Sequence, residues 1–202
     1  MGSATKITLS AKELSLVTDP AFILTKRAII EKVYELFARN IEVIKSEFES
    51  AAVKLPVAVA SGTPKISKGE NYRQLPYVML DFPRCFSGKD VFALRTLFWW
   101  GHCFSITLHL SGIYLDQYRE IVGAKLANYR ADLYICVNED QWEHHFNPDN
   151  YRPLEQLTAA EKVHIIEGQQ FLKLALKFDL QQWNQMEVLL RNGYRKMAAL
   201  LA

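Results

Sequence analysis

The chain has 202 residues, of which half are hydrophobic, 12% are aromatic and 23% are charged, and its net charge is +2. The apolar fraction excludes a disordered protein, and the modest glycine and proline counts exclude collagen-like and low-complexity classes. The balanced charge argues against a nucleic-acid partner, and the lack of any run of about 18 apolar residues argues against membrane insertion. Three cysteines without a CxxC spacing predict free thiols, so we expect a cytoplasmic protein.

The first predicted element is a helical segment over 10–50, which is clearest from residue 21 onward. Asp19-Pro20 is a start signal, because Asp accepts hydrogen bonds from free backbone amides and proline is tolerated in the first turn. Apolar residues then recur at steps of three and four along one stripe: Ile30, Tyr34, Phe37, Ile41, Ile44 and Phe48. Such a long apolar face must be buried against something.

The middle of the chain, 65–137, predicts an antiparallel sheet. Candidate strands lie at 65–72, 77–82, 104–110 and 133–137, and the strand at 104–110 is the clearest because apolar and polar residues alternate along it. Ser87-Gly-Lys-Asp90 has the pattern of a helix start, which predicts a short helix from there to about Trp100. A further helix is predicted at 113–130.

The last third begins with an acidic loop at 138–157. Thr158-Ala-Ala-Glu161 is a capping box and predicts a helix to about Lys177, and a final helix follows from about residue 180 to Leu201. We therefore expect a single α+β domain over 1–202. It would have a small antiparallel sheet of about three to five strands, with a long N-terminal helix and two C-terminal helices (158–201) packed against it.

Two stretches carry opposite local charge. Residues 65–95 hold six basic against three acidic side chains, whereas 138–155 hold five acidic against one basic side chain. They either attract each other, within the fold or across a dimer, or lie as separate solvated surfaces.

Aromatic residues concentrate in the middle of the chain, where nine of the 24 fall between Tyr72 and Phe104. One interpretation is a dense aromatic core. Another is a pocket for a flat or anionic small ligand, because guanidinium groups stack on rings and donate two hydrogen bonds to an anion. The ligand-binding candidates are Arg84, Arg95, Trp99, His102 and His109. Stacking of single-stranded nucleic acid is the third interpretation, and the balanced charge disfavours it.

The polar face of the strand at 104–110 carries Ser105, Thr107 and His109. If the strand at 77–82 is its neighbour, Asp81 could orient His109 as a general base. His109 and Asp81 are therefore the catalytic candidates, and a solvent-facing polar strand is the alternative.

The acidic loop contains Glu143, His144 and His145, whose side chains are of metal-ligating type. Their spacing is poor for a shared ion, because neighbouring residues point apart, so an acidic surface loop is the alternative. Motifs for binding nucleotides and dinucleotides are absent, and no metal or cofactor is assigned.

Two classes of function remain open. The first is a non-enzymatic interaction or assembly protein that uses its apolar helical faces to self-associate or to bind another protein. The second is a small-molecule binder or hydrolase-like enzyme, with an aromatic and arginine-lined pocket beside 104–110 that takes a small anionic ligand.

Overall fold

The computed structural model describes residues 6–127, 129 and 132–202. The helices are α1 (Ala11–Thr18), α2 (Pro20–Ser50), α3 (Val57–Ala60), α4 (Ile113–Ala127), α5 (Ala159–Gly168) and α6 (Met186–Leu201). The strands are β1 (Lys65–Tyr72), β2 (Leu75–Ser87), β3 (Asp90–Trp99), β4 (Cys103–Ser111), β5 (Leu133–Cys136), β6 (Tyr151–Pro153) and β7 (Phe171–Asp179). Two 3-10 segments, Leu154–Gln156 and Leu180–Gln185, follow β6 and β7.

The architecture is α+β with a long N-terminal helix and a C-terminal helix, as predicted. The predicted sheet size is wrong, because one sheet of seven strands is present in the order β1-β2-β3-β4-β7-β5-β6. All neighbouring strands are antiparallel. Two of the additional strands, β3 and β7, lie in segments for which the sequence predicted helices.

The helix predicted from residue 87 to 100 is wrong, because this segment forms the turn before β3 and β3 itself. Ser87 pairs with Asp90 across a two-residue turn, and Gly88 has φ +59°, a conformation that such hairpin turns require and that glycine adopts readily. Strand β3 is apolar on both faces, since Phe92 and Leu94 are buried on one face and Leu97 on the other. A continuous apolar run of this kind does not distinguish a buried strand from a helix.

The helix predicted from 158 to 177 is correct at its start and wrong at its end. The capping box between Thr158 and Glu161 is confirmed, but α5 ends at Gly168 and the chain then enters β7. The predicted helix at 113–130 is confirmed as α4 up to Ala127; residues 128, 130 and 131 lie outside the described residues. The final helix is confirmed as α6.

Helices α2, α4 and α6 cover one face of the sheet. The apolar stripe predicted for α2 packs against this face of the sheet. Within it, Phe37 contacts Phe104 of β4 edge-on, with ring centroids 6.2 Å apart. Helix α6 approaches β4 closely at Gly193, where a Cβ atom would lie 2.6 Å from Cδ1 of Ile106. The stripe therefore packs inside this chain.

The opposite face of the sheet is covered by residues 137–150, which contain no helix or strand. We call this segment the covering loop. Its two ends are joined to each other where they leave β5 and enter β6, since the amide of Val137 donates to the carbonyl of Asn150 over 2.8 Å. Among the described residues, no helix combines the length and the apolar composition needed to cross a membrane.

Candidate functional site

Polar side chains from four neighbouring strands meet on the face of the sheet beneath the covering loop. Asp81 of β2 lies opposite Arg95 of β3, which lies opposite Thr107 of β4, and His109 of β4 lies opposite Lys173 of β7. Because side chains alternate along a strand, these residues point to one face. We call them, together with Tyr151 of β6, the polar cluster. Their burial is unusual for charged groups and marks the cluster as a candidate site.

Arg95 connects the sheet to the covering loop. Its Nε and Nη2 donate to the two carboxylate oxygens of Asp81 over 2.7 and 3.0 Å, and its Nη1 lies 3.2 Å from Nε2 of His144. Arginine can only donate, so His144 accepts here and carries its proton on Nδ1. Burial, together with the charge of Arg95, holds the pKa of His144 well below its usual value.

The predicted pairing of Asp81 with His109 is wrong, because β3 lies between the strands that carry them. His109 instead places its Nε2 atom 2.9 Å from Oε1 of Gln141 in the covering loop. Burial and the nearby charge of Lys173 lower the pKa of His109 to about 3. At this pKa His109 is neutral at pH 7, and its Nε2 proton is donated to the amide oxygen of Gln141, so Nε2 is not free to accept a proton in this arrangement.

Lys173 is 1% exposed, which is exceptional for a lysine. Its Nζ donates to the backbone carbonyl of Glu143 over 2.6 Å and lies 5.3 Å from the centre of the Tyr151 ring. No ion pair with a carboxylate involves this amine among the described residues. Burial lowers the pKa of Lys173 to about 8, because the charged form loses its hydration.

The tip of the covering loop is held by Tyr72 at the end of β1. The Tyr72 hydroxyl accepts from the amides of His144 and His145 over 2.7 and 3.0 Å and donates to Oε2 of Glu143 over 2.8 Å. Arg73 adds an ion pair to the same carboxylate at 3.2 Å. The basic and acidic stretches of the sequence therefore meet here, which supports attraction within the fold over two separate solvated surfaces.

The three metal-ligand candidates use their donor atoms within the protein. Nε2 of His145 lies 3.3 Å from Oε2 of Glu143, and Nδ1 of His145 accepts from the amide of Asn147 over 3.3 Å. The Nε2 atom of His144 is occupied by Arg95. Within residues 6–127, 129 and 132–202, no group of three or more side chains is arranged to hold a metal ion.

The remaining predicted binding residues lie apart from the polar cluster. Arg84 donates its Nε proton to the carbonyl of Thr63 over 2.9 Å. Trp99 stacks on His102 with ring centroids 3.5 Å apart, at the hairpin that joins β3 and β4, and contacts Tyr72 edge-on at 5.1 Å. The rings of Trp99 and His102 therefore lie at the β3–β4 hairpin, outside the polar cluster.

Sequence reasoning missed three residues of the site, namely Lys173, Tyr151 and Tyr72. Lys173 could have been found, because Leu172 and Leu174 flank it in an alternating pattern that predicts a strand. Nothing local marks Tyr151, yet it is 1% exposed and its hydroxyl has no hydrogen-bond partner among the described residues. Burial raises the pKa of Tyr151, so the hydroxyl stays protonated at neutral pH.

A second unusual feature is the N-terminal arm, which we define as residues 7–24. Helix α1 has no buried residue, although its capping box between Ser10 and Glu13 is complete. Large apolar side chains of the arm are 45% to 97% exposed. They are Ile7, Leu9, Leu14, Leu16, Val17, Phe22, Ile23 and Leu24.

No protein-family model matches this chain, and the comparisons with curated proteins and with solved structures likewise find no match. Function therefore has to be inferred from the N-terminal arm and the polar cluster themselves.

Proposed function

We propose that this chain is a non-enzymatic assembly protein that self-associates through its N-terminal arm. The observation that carries the proposal is the concentration of exposed apolar side chains in residues 7–24. If a free aliphatic or phenyl side chain presents on the order of 140 Å², the arm exposes roughly 700 Å² of apolar surface. This total is spread over several sides of the two helical segments, and it exceeds the ~300–600 Å² of the largest apolar patch on a typical monomer, which supports an interface.

A second copy of the chain is the occupant that we propose for the arm. The upper limit for two arms is roughly 1,400 Å² of buried apolar surface, and an interface that buries most of it reaches the ~1,200–2,000 Å² of a standard interface. The arm carries both signs of charge, namely Lys12, Glu13 and Asp19, so two copies meet without strong repulsion. A symmetric dimer uses the same patch on both subunits, and an apolar helix with mixed charge satisfies that requirement.

Sedimentation of the full chain over a wide concentration range tests this proposal. We expect the wild type to dimerise and the double variant Leu14→Glu/Val17→Glu to sediment as a monomer. The matched control is Val163→Glu, which changes a residue of α5 that is 51% exposed and should leave the dimer intact. A wild type that stays monomeric at high concentration overturns the proposal, as does a dimer that tolerates the arm variants. Association of the arm only with lipid vesicles overturns it too.

A second candidate function is the binding of a small anionic molecule on the loop-covered face of β4. The burial of Arg95 and Lys173 beside a single buried carboxylate, Asp81, favours it.

We also propose a cytoplasmic location, which the free thiols of Cys85, Cys103 and Cys136 support.

A further inference from the structure

We propose that Arg95 and Lys173 form an oxyanion site for a small molecule that carries a carboxylate or phosphate group. Residues 141–145, the tip of the covering loop, occupy this site in the structure described above and are displaced when the ligand binds. The proposal develops the second candidate function and does not depend on assembly through the N-terminal arm.

The first argument is the imbalance of buried charge. Two cations, Arg95 and Lys173, lie beneath the covering loop, and Asp81 neutralises only the first of them. Toward the loop, each cation contacts a neutral acceptor: Arg95 contacts Nε2 of His144, and Lys173 contacts the carbonyl of Glu143. The carboxylates of Glu143 and Asp140 favour the charged form of Lys173 only from a distance, and Glu143 forms its ion pair with Arg73. Since burying a charge without a counter-charge is costly, an anion compensates this pair better than the loop does.

The second argument is that the polar cluster contains hydrogen-bond donors that are not used in this structure. The Tyr151 hydroxyl is buried and makes no hydrogen bond of ordinary geometry within the described part of the chain, and Thr107 of the cluster is near enough to pair with it only weakly. Its ring lies 5.3 Å from Nζ of Lys173, so this hydroxyl borders the cluster. Arginine has five N–H donors and lysine three, so both retain donors beyond the contacts made in this structure. Fixed donors around a positive centre match the acceptor-only oxygens of a carboxylate or phosphate.

The third argument is the way in which the tip of the covering loop is attached. Most of its hydrogen bonds to the sheet are polar side-chain contacts, and its one large apolar side chain, Trp142, is 46% exposed and packs on the rings of Phe86 and His109 at centroid distances of 6.3 and 5.4 Å. The remainder of the loop is fixed separately, since Phe146 stacks on Tyr151 with ring centroids 4.8 Å apart. The acceptors of His144 and Glu143 can thus be exchanged for two ligand oxygens without unpacking the apolar core on the other face of the sheet.

The site is tested by NMR on the full chain, with inorganic phosphate and acetate as separate probes and chloride to hold the ionic strength constant. The Cε signal of Lys173 reports its protonation. An anion beside the amine favours the charged form, so we expect either probe to raise the pKa of Lys173 by about one unit or more. Amide signals of residues 141–145 should shift in the same titration.

Two variants separate binding from folding. Lys173→Met keeps the volume and removes the charge, and Tyr151→Phe removes only the unpartnered hydroxyl. We expect the first to abolish binding and the second to weaken it by about tenfold, as the loss of a hydrogen bond to a charged group implies. Lys177→Met, on an exposed position of the same strand, is the matched control and should bind like the wild type.

The inference is overturned if neither anion moves the Lys173 signal at tens of millimolar, or if Lys173→Met binds as the wild type does. Sedimentation of the same samples reports assembly separately. Failure of the oxyanion site is therefore distinguishable from failure of the dimer.

Discussion

Lowering the pH from 7 to 4 is expected to destabilise this chain through His109. The folded-state pKa of His109 is lowered to about 3, mainly by burial, whereas an exposed histidine in the unfolded chain titrates near 6.5. Between these two values the unfolded state binds a proton that the folded state does not bind. The free energy of unfolding therefore falls as the pH falls through this window.

The magnitude follows from the width of the window. Each unit of pKa difference corresponds to about 1.4 kcal/mol, so His109 alone removes about 3 kcal/mol between pH 6.5 and pH 4. His144, whose pKa is also held below its usual value, acts in the same direction. A loss of this size is a large fraction of the ~5–15 kcal/mol that stabilises a typical domain.

Urea denaturation followed by tryptophan fluorescence at several pH values measures the effect. In His109→Gln, the slope of unfolding free energy against pH should be about 1.4 kcal/mol per unit smaller than in the wild type, between about pH 4 and pH 6. His164→Gln, which replaces an exposed histidine of α5, is the control and should keep the wild-type slope. Parallel profiles for the wild type and His109→Gln would refute the reasoning, whatever their absolute stabilities.

Two further substitutions test the packing of the two faces. Gly193→Ala should destabilise the chain by about 1–3 kcal/mol in urea titrations, because its Cβ would lie 2.6 Å from Ile106, although alanine is the better helix former. The control is Gly123→Ala in α4, whose Cβ would make only an ordinary 3.5 Å contact, so it should be neutral or stabilising by up to about 1 kcal/mol. Equal losses of stability in both variants would contradict the close approach of α6 to β4. Tyr72→Phe should cost about 1–3 kcal/mol and speed hydrogen exchange at the amides of His144 and His145, which lose their acceptor. Tyr77→Phe is its control, and unchanged exchange in Tyr72→Phe would show that the hydroxyl does not hold the loop.

The long N-terminal helix α2 was predictable because it has one buried face and a clear start signal. The stripe through Phe37 and Ile44 and the cap at Asp19 together specify α2. Strands β3 and β7 were missed for a different reason, since both faces of the sheet are buried over them. The segment Asp90–Trp99 then reads as a mostly apolar run. The alternation in Phe171–Asp179 was overridden by the capping box of the preceding helix, which encouraged the extension of that helix through Gly168.

Several residues of the candidate site could be predicted from the sequence, but their hydrogen-bond and ion-pair partners could not. Arg95, His109 and His144 were all singled out from the sequence, yet the partner of each depends on strand order. Placing β3 between β2 and β4 moves Asp81 from His109 to Arg95. Lys173 belongs to the site only because β7 pairs with β4, a contact between residues far apart in sequence that no local pattern specifies.

The position of β7 in the sheet also bears on how the chain matures during synthesis. Strands β1 to β4 form successive hairpins and can assemble as soon as they emerge, but the outer edge of β4 pairs with a strand made much later. Because synthesis adds about 5–20 residues per second, the outer edge of β4 stays unpaired for seconds before Phe171–Asp179 emerges. Unpaired edges can pair with other chains, so this interval exposes the nascent protein to aggregation. A chain that stops before β7 would keep this hazard permanently.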